Sequence, residues 1–143
     1  VVRSWPCGTV SILPGTFCEL VLQSGNYVVA PAASTGQEIA KPAGVAVYKD
    51  MLEPGGYVAG NLVPIMRKGQ IWGIYSGSSI PTDLQDAKVS HSSTVATNNG
   101  TFTDATSSAT AGSEVTGALA KYSGSNSTST LVLVELDIPR SAP

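Results

Sequence analysis

Apolar and polar positions alternate in short bursts along this chain with a period close to two, and turn residues punctuate the bursts roughly every 8–12 positions. Helical spacing is nearly absent. Phe17 to Leu22 sets Cys18, Leu20 and Leu22 on one side and Glu19 on the other, as a half-buried strand does. Tyr27 to Ala30 is a short apolar run closed by Pro31, and Gly44 to Lys49 separates Val45 and Val47 from Ala46 and Tyr48. The clearest expected hairpin joins Asn61–Met66 to Gln70–Tyr75 through Lys68-Gly69, because glycine takes the positive φ that a two-residue turn demands. Pro64 has no N–H for a ladder, so its strand is expected at an edge, or Pro64 sits where its N–H would face outward.

A second hairpin is expected at Ser93–Ala105 around Asn99-Gly100, between Thr-rich flanks whose branched side chains favour strands. The last strand runs from Thr130 to Ile138. Its continuously apolar start, Leu131 to Val134, reads as buried on both faces, before Glu135 and Asp137 alternate with Leu136 and Ile138 and Pro139 ends the ladder. Ser113 to Tyr122 places Val115, Ala118, Leu119 and Tyr122 at helical spacing, with Glu114 suited to a helix start. Gly112, Thr116 and Gly117 oppose a helix, so a strand or irregular loop is expected. Between Lys88 and Thr130 nearly half the residues are Ser or Thr, yet low charge and the interspersed Val95, Phe102 and Leu119 favour thin strands and exposed loops over disorder. These elements define an all-β chain, a single-domain jelly-roll or β-sandwich over residues 1–143 with Ser/Thr-rich hairpins and loops, an N-terminal arm at 1–6 and a C-terminal tail at 139–143.

Composition sharpens this picture. A chain of 143 residues buries roughly 68–70% of its unfolded surface, and needs neither disulfide nor metal to do so. Hydrophobic residues make up 42% but charged residues only 13%, about half the usual fraction of roughly 25%. Such a surface suits packing against other copies or a larger assembly, and also a Ser/Thr-rich secreted domain. The net charge is −2, with eight Lys and Arg scattered singly or in pairs. No basic stripe neutralises phosphates, which argues against nucleic acid as the main partner. No apolar run reaches the roughly 20 residues of a membrane-spanning helix. The opening VVRSWPCGTV lacks signal-peptide character, and without an initiator Met the N-terminus is expected to lie upstream or to be processed. Cys7 and Cys18 fit no metal or redox spacing and read as two small buried thiols, with a Cys7–Cys18 bridge open if neighbouring strands bring them within reach.

Candidate chemistry is sparse. His91, the only histidine, sits in the polar run Ser90-His91-Ser92-Ser93 and reads as solvated, and one His with two distant Cys does not make a zinc site. Asp83 with Asp86, and Asp50 with Glu53, flank the turn formers Pro81 and Pro54-Gly55-Gly56, where carboxylates are usually solvated or bond nearby backbone N–H groups. Arg67-Lys68-Gly69 lacks the glycine spacing of a phosphate loop. No catalytic, cofactor-binding or metal-ligating residue is therefore expected. Trp72 reads as core or interface, and Trp5 as the better anchor into a partner. Asn99-Gly100-Thr101 and Asn126-Ser127-Thr128 match the glycosylation pattern, which arises often by chance in such stretches.

Gly44-Val45-Ala46-Val47, then an acidic Gly-rich turn, then VPIMRKGQIWGIY (Val63 to Tyr75), and after a Ser/Thr-rich region a closing LVLVEL (Leu131 to Leu136) form a recognisable order. It resembles the small cement, or decoration, proteins of tailed double-stranded-DNA bacteriophage capsids, that of a Bordetella short-tailed phage among them, over roughly residues 15–138. The resemblance implies a jelly-roll-like structural protein without a catalytic motif. It would bind the outer surface of a phage head after assembly in the host cytoplasm, and bridge neighbouring major capsid subunits as a dimer or trimer. The expected contacts are the arm, Val1, Val2, Arg3, Ser4, Trp5 and Pro6, and the tail Pro139–Pro143 with Pro139 and Arg140. Both are polar-apolar mixtures beyond the last expected strands, and termini order readily on a partner. The competing readings are a secreted carbohydrate-binding β-sandwich with Trp5, Trp72 or Tyr75 as stacking platforms, and a fibre or pilus subunit.

Overall fold

Among the described residues every regular element is a strand. The computed structural model describes residues 2–32, 41–49, 55–76, 86–90, 99–103, 113–114, 120–122 and 131–138. Among these lie β1 (Val2–Pro6), β2 (Phe17–Gln23), β3 (Asn26–Pro31), β4 (Pro42–Ala46), β5 (Leu62–Met66) and β6 (Lys68–Ile74). Short β7 (Lys88–Val89), β8 (Phe102–Thr103), β9 (Ser113–Glu114) and β10 (Ala120–Tyr122) follow, and β11 (Leu131–Asp137) comes last. The chain is all-β: the described residues include no helix.

The first five strands form an antiparallel sheet in the order β1-β5-β4-β2-β3. The sheet curls until its edges meet, where Cys7 bridges Val29 and the Gly8 N–H donates to the Val29 carbonyl at 2.9 Å. The ring encloses Trp5, Ile12, Cys18, Leu20, Val29, Tyr57, Val63 and Ile65. A second ring forms from β6, β11 and β10. The Tyr75–Phe102 bridge joins it to β8, and the Asp86–Lys121 bridge joins β10 to the segment leading into β7. Its interior holds Phe102, Tyr122, Val132, Val134 and Leu136, with Phe17 and Val45 entering from the outer face of the first ring. Edge-to-face contacts run from Phe17 to Phe102 to Tyr122 to Tyr75, with centroids 6.1, 6.3 and 6.4 Å apart.

Several expectations change here. Asn61–Met66 and Gln70–Tyr75 do not pair as a hairpin. Both sides of β5 are already taken by β1 and β4, so the chain crosses at Arg67 into the other ring, where β6 pairs with β11. Gly69 does take positive φ, at 118°, but inside β6 opposite Leu136. The tight hairpin is instead β2–β3, where Ser24 (φ 50°) and Gly25 (φ 81°) turn between paired Gln23 and Asn26. Asn99-Gly100 is a turn, but the described partner of β8 is Lys88–Val89, while Ser93 to Ala96 lie outside the described residues. β11 alternates from its start: Val132, Val134 and Leu136 are buried while Leu131 is exposed, so it is not buried on both faces. Ser113 to Tyr122 is strand at both ends, as β9 and β10.

Pro64 is not at an edge, and its missing donor does not face outward. The Val47 N–H donates to the Pro64 carbonyl at 2.9 Å, so Pro64 also turns its nitrogen toward Val47, where antiparallel pairing would supply an N–H. The Tyr57 hydroxyl donates to the Val47 carbonyl instead. Burial pushes the pKa of this phenol up, which keeps it protonated as a donor.

Tyr57→Phe should cost about 0.5–1.5 kcal/mol in urea unfolding. In that background Pro64→Ala, which restores a backbone donor, should be better tolerated than in the wild type; additive effects would disprove the substitution of one donor by the other. Gly73 is needed for space, since a Cβ there would collide with the Phe102 ring. Gly73→Ala should therefore destabilise by about 1–3 kcal/mol, whereas Gly55→Ala, with nothing within 4 Å, should stay within about 0.5 kcal/mol.

Candidate interaction surfaces

The described polar groups are arranged for structure. Asp86 holds Lys121 at 2.9 Å beside the bridge between β10 and the lead into β7. Asp50, Glu53, Asp83 and His91 lie outside the described residues, as does the acceptor triplet Asn126-Ser127-Thr128. Among the described residues no cluster of His, Cys, Asp or Glu has the makings of a metal site. Cys7 and Cys18 are free and buried within the first ring. Desolvation raises both thiol pKa values, and for Cys18 the nearby Cys7 and Glu19 push in the same direction.

Of the two tryptophans, Trp5 departs from its expected place as an anchor, while Trp72 is left outside the core. Trp5 is only 7% exposed and packs in the first core opposite Val63, with the Arg3 guanidinium 4.2 Å from its ring centroid. Residues 2–6 are thus an integral strand and not a loose arm, because β5 offers them a complete ladder from Met66 to Leu62. Val2, Arg3, Ser4 and Pro6 remain exposed. Trp72 is 45% exposed on the outer face of β6. Its position was readable, since Lys68 and Gln70 precede it at the same parity. Tyr75 is buried, so neither it nor Trp5 offers a stacking platform.

Two surface features emerge. On the outer face of β6 and β11, Trp72 lies opposite Leu133 and Ile74 opposite Leu131, forming an apolar half. The other half is polar: Gln70 faces Glu135, and Lys68 pairs with Asp137 at 3.6 Å. The second feature joins sequence ends that no local pattern could connect. Val2 pairs with Met66, and the Ile138 N–H donates to the neighbouring Arg67 carbonyl at 2.9 Å. The described residues bordering Val1 and Pro139 therefore meet at the crossover between the rings. Val1, Pro139 and Arg140 themselves lie outside the described residues.

The described residues form an all-β framework of closed strand rings with apolar residues left on its outer faces. Residues 6–137 match the family described as Structural cement protein (E217 gp24/Pam3 gp6). The chain belongs to this family of phage structural cement proteins, and is accordingly a virion capsid component. No curated protein matches it.

Because Cys7 and Cys18 have raised pKa values in the fold, the unfolded chain loses its thiol protons first as pH rises. Their contribution is complete below the ordinary thiol value of 9.0 and fades above it. Stability should fall by up to about 1.4 kcal/mol per pH unit per thiol, and Cys18→Ala should flatten that slope in denaturant melts between pH 8 and 10.5; an unchanged slope would assign it to other groups.

Proposed function

We propose that this chain binds the outer surface of a phage head and bridges neighbouring major capsid subunits, stiffening the shell without any catalytic step. It would be made in the host cytoplasm and act as a dimer or trimer, so that each assembly touches several shell subunits and weak contacts combine through effective concentration. The observation that carries this reading is the family match across residues 6–137. The charge-poor surface and the apolar half of the β6–β11 face support it, since exposed apolar area flanked by polar residues is the usual mark of a docking site.

The contacts proposed for Val1 to Pro6 and for Pro139 and Arg140 gain support from the meeting of their bordering residues at Met66 and Arg67. One shell site can then engage both segments. Trp5 drops out as the anchor, because its indole is already packed in the core; Val2 and Ser4, which face outward, are the better contacts.

Quantitative mass spectrometry of purified particles should find this chain in numbers comparable to the major shell protein. A handful of copies would indicate a tail or fibre part, and none would end the cement reading. Trp72→Ala and Val2→Asp should leave the melting temperature within a few degrees while lowering particle occupancy several-fold. Deletion of residues 1–6 is a poor test, because it removes β1 and a core tryptophan together.

A further inference from the structure

The N-terminal strand keeps one side open. The Cys7 N–H donates to the Asn61 carbonyl, and the register with β5 runs on through Trp5 opposite Val63 to Arg3 opposite Ile65. Antiparallel bonding alternates along a strand, so the main-chain groups of Val2 and Ser4 point away from β5. Gly8, of the same parity, donates on that side to the Val29 carbonyl and closes the first ring. The next bond of this parallel ladder would run from the N–H of residue 6 to the Tyr27 carbonyl, and residue 6 is proline. Closure stops there. Among the described residues nothing pairs with Val2 or Ser4 on the side away from β5. An exposed stretch of strand is left with a donor and an acceptor at each of these residues.

Such an edge is a template for one more strand, and the residue between Val2 and Ser4 decides whose. The two-fold antiparallel register that pairs Val2 of one copy with Ser4 of another sets their Arg3 side chains directly opposite, where like charges repel. A second copy is thereby disfavoured. The same position suits an acidic residue. Arg3 shares a face with Trp5, its guanidinium 4.2 Å from the ring centroid. The register set by Cys7 and Val29 brings Tyr27 beside Trp5, and the Lys41 ammonium lies 4.8 Å from the Tyr27 ring centroid while donating to its hydroxyl at 3.0 Å. One end of the first ring thus carries two cations, and among the described residues neither forms an ion pair. On the opposite face of β1 and β5, Val2 and Leu62 are exposed and offer cover to apolar residues flanking the acid.

We propose that β1 adds an extended segment of the shell protein along Val2 and Ser4, with an acidic residue of that segment opposite Arg3. The inference rests on the cement reading above and names a contact within it. Main-chain bonds to Val2 and Ser4 supply affinity for an extended chain whatever its sequence, and Arg3 with Lys41 selects among such chains. Arg3 has a second effect: a charge on an open edge keeps copies of the free protein from pairing before a shell is present.

The test uses the whole chain. Particles stripped of the protein are reloaded with wild type, Ser4→Pro, Arg3→Glu or Arg3→Lys, and amide hydrogen exchange of the wild type is compared free and loaded. Proline is tolerated on a strand where its missing N–H would face away from the sheet, so Ser4→Pro should melt within a few degrees of wild type. It should load about tenfold more weakly, the equivalent of one net hydrogen bond. Arg3→Glu should lose at least as much, while Arg3→Lys keeps the charge and should load nearly as wild type. On the particle the Ser4 amide should exchange at least about tenfold more slowly than in the free chain. Should Ser4→Pro fold poorly, the Ser4 exchange in wild type and the loss with Arg3→Glu decide. Unchanged loading of Ser4→Pro with unslowed Ser4 exchange overturns the proposal and leaves the cement reading standing. Loss with Ser4→Pro but none with Arg3→Glu overturns the acidic residue. Failure of wild type to load ends the cement reading and the shell segment with it. A dimer of the free wild type that Ser4→Pro dissociates assigns the edge to a second copy and overturns the shell as its source.

Discussion

Three consecutive residues, Gly15, Thr16 and Phe17, tie the two rings of strands together. The Gly15 N–H donates to the Ala46 carbonyl and its own carbonyl accepts from Ile74, so one residue joins β4 of the first ring to β6 of the second. The Thr16 carbonyl accepts from Ala46. The Phe17 N–H donates to Gly100 and its carbonyl accepts from Ala32. Side chains repeat the division: Phe17 enters the second core against Phe102, while Cys18 enters the first. Adjacent residues on a strand point to opposite faces, so β2 is a shared wall, apolar on both sides at its start. This explains why Phe17, Cys18 and Leu20 are all buried while Leu22, past the end of that wall, is exposed.

Legibility from sequence followed locality. Strand positions depend on period-two alternation and turn residues within about ten positions, and β2, β3 and β11 fall near their expected places, while β4 shares only Gly44 to Ala46 with the expected run. Pairing depends on partners far along the chain. Nothing between Met66 and Lys68 records that β1 and β4 already occupy the sides of β5, so a plausible local turn suggested a hairpin that does not form. Pro64 misled for the same reason, because its missing donor is replaced by a hydroxyl from Tyr57. The tryptophans were separable in part: parity put Trp72 with Lys68 and Gln70, but only the pairing of β1 with β5 reveals that Trp5 lies over Val63. Glu19 was visible as the polar break in an apolar run, and alternation alone puts it on the face opposite Cys18 and Leu20.

The closure of both rings bears on how such a protein can associate. An open sheet presents unpaired N–H and C=O groups that recruit further strands, whereas closure removes such edges. Here β1 and β3, the two edges of the five-stranded sheet, meet at Cys7 and Val29, and the short strands of the second ring are joined by the bridges at Tyr75–Phe102 and Asp86–Lys121. At those closures association by strand addition is disfavoured. In the proposed role, contact with a shell would fall chiefly to side chains on outer faces, where Trp72, Leu131, Leu62 and Val2 are left exposed.

That arrangement also explains why a low charge content is compatible with function. A protein acting alone in solution relies on charge to stay dispersed, but a cement protein works at fixed, repeated sites. In the proposed bridging role each apolar contact can be small, because simultaneous engagement of several subunits would multiply weak affinities. Specificity still requires something that apolar contact cannot supply, since aliphatic surfaces discriminate poorly between partners. The polar half of the β6–β11 face, where Gln70 lies opposite Glu135 and Lys68 pairs with Asp137, borders the apolar half, so a partner that buries this face without matching those groups is penalised.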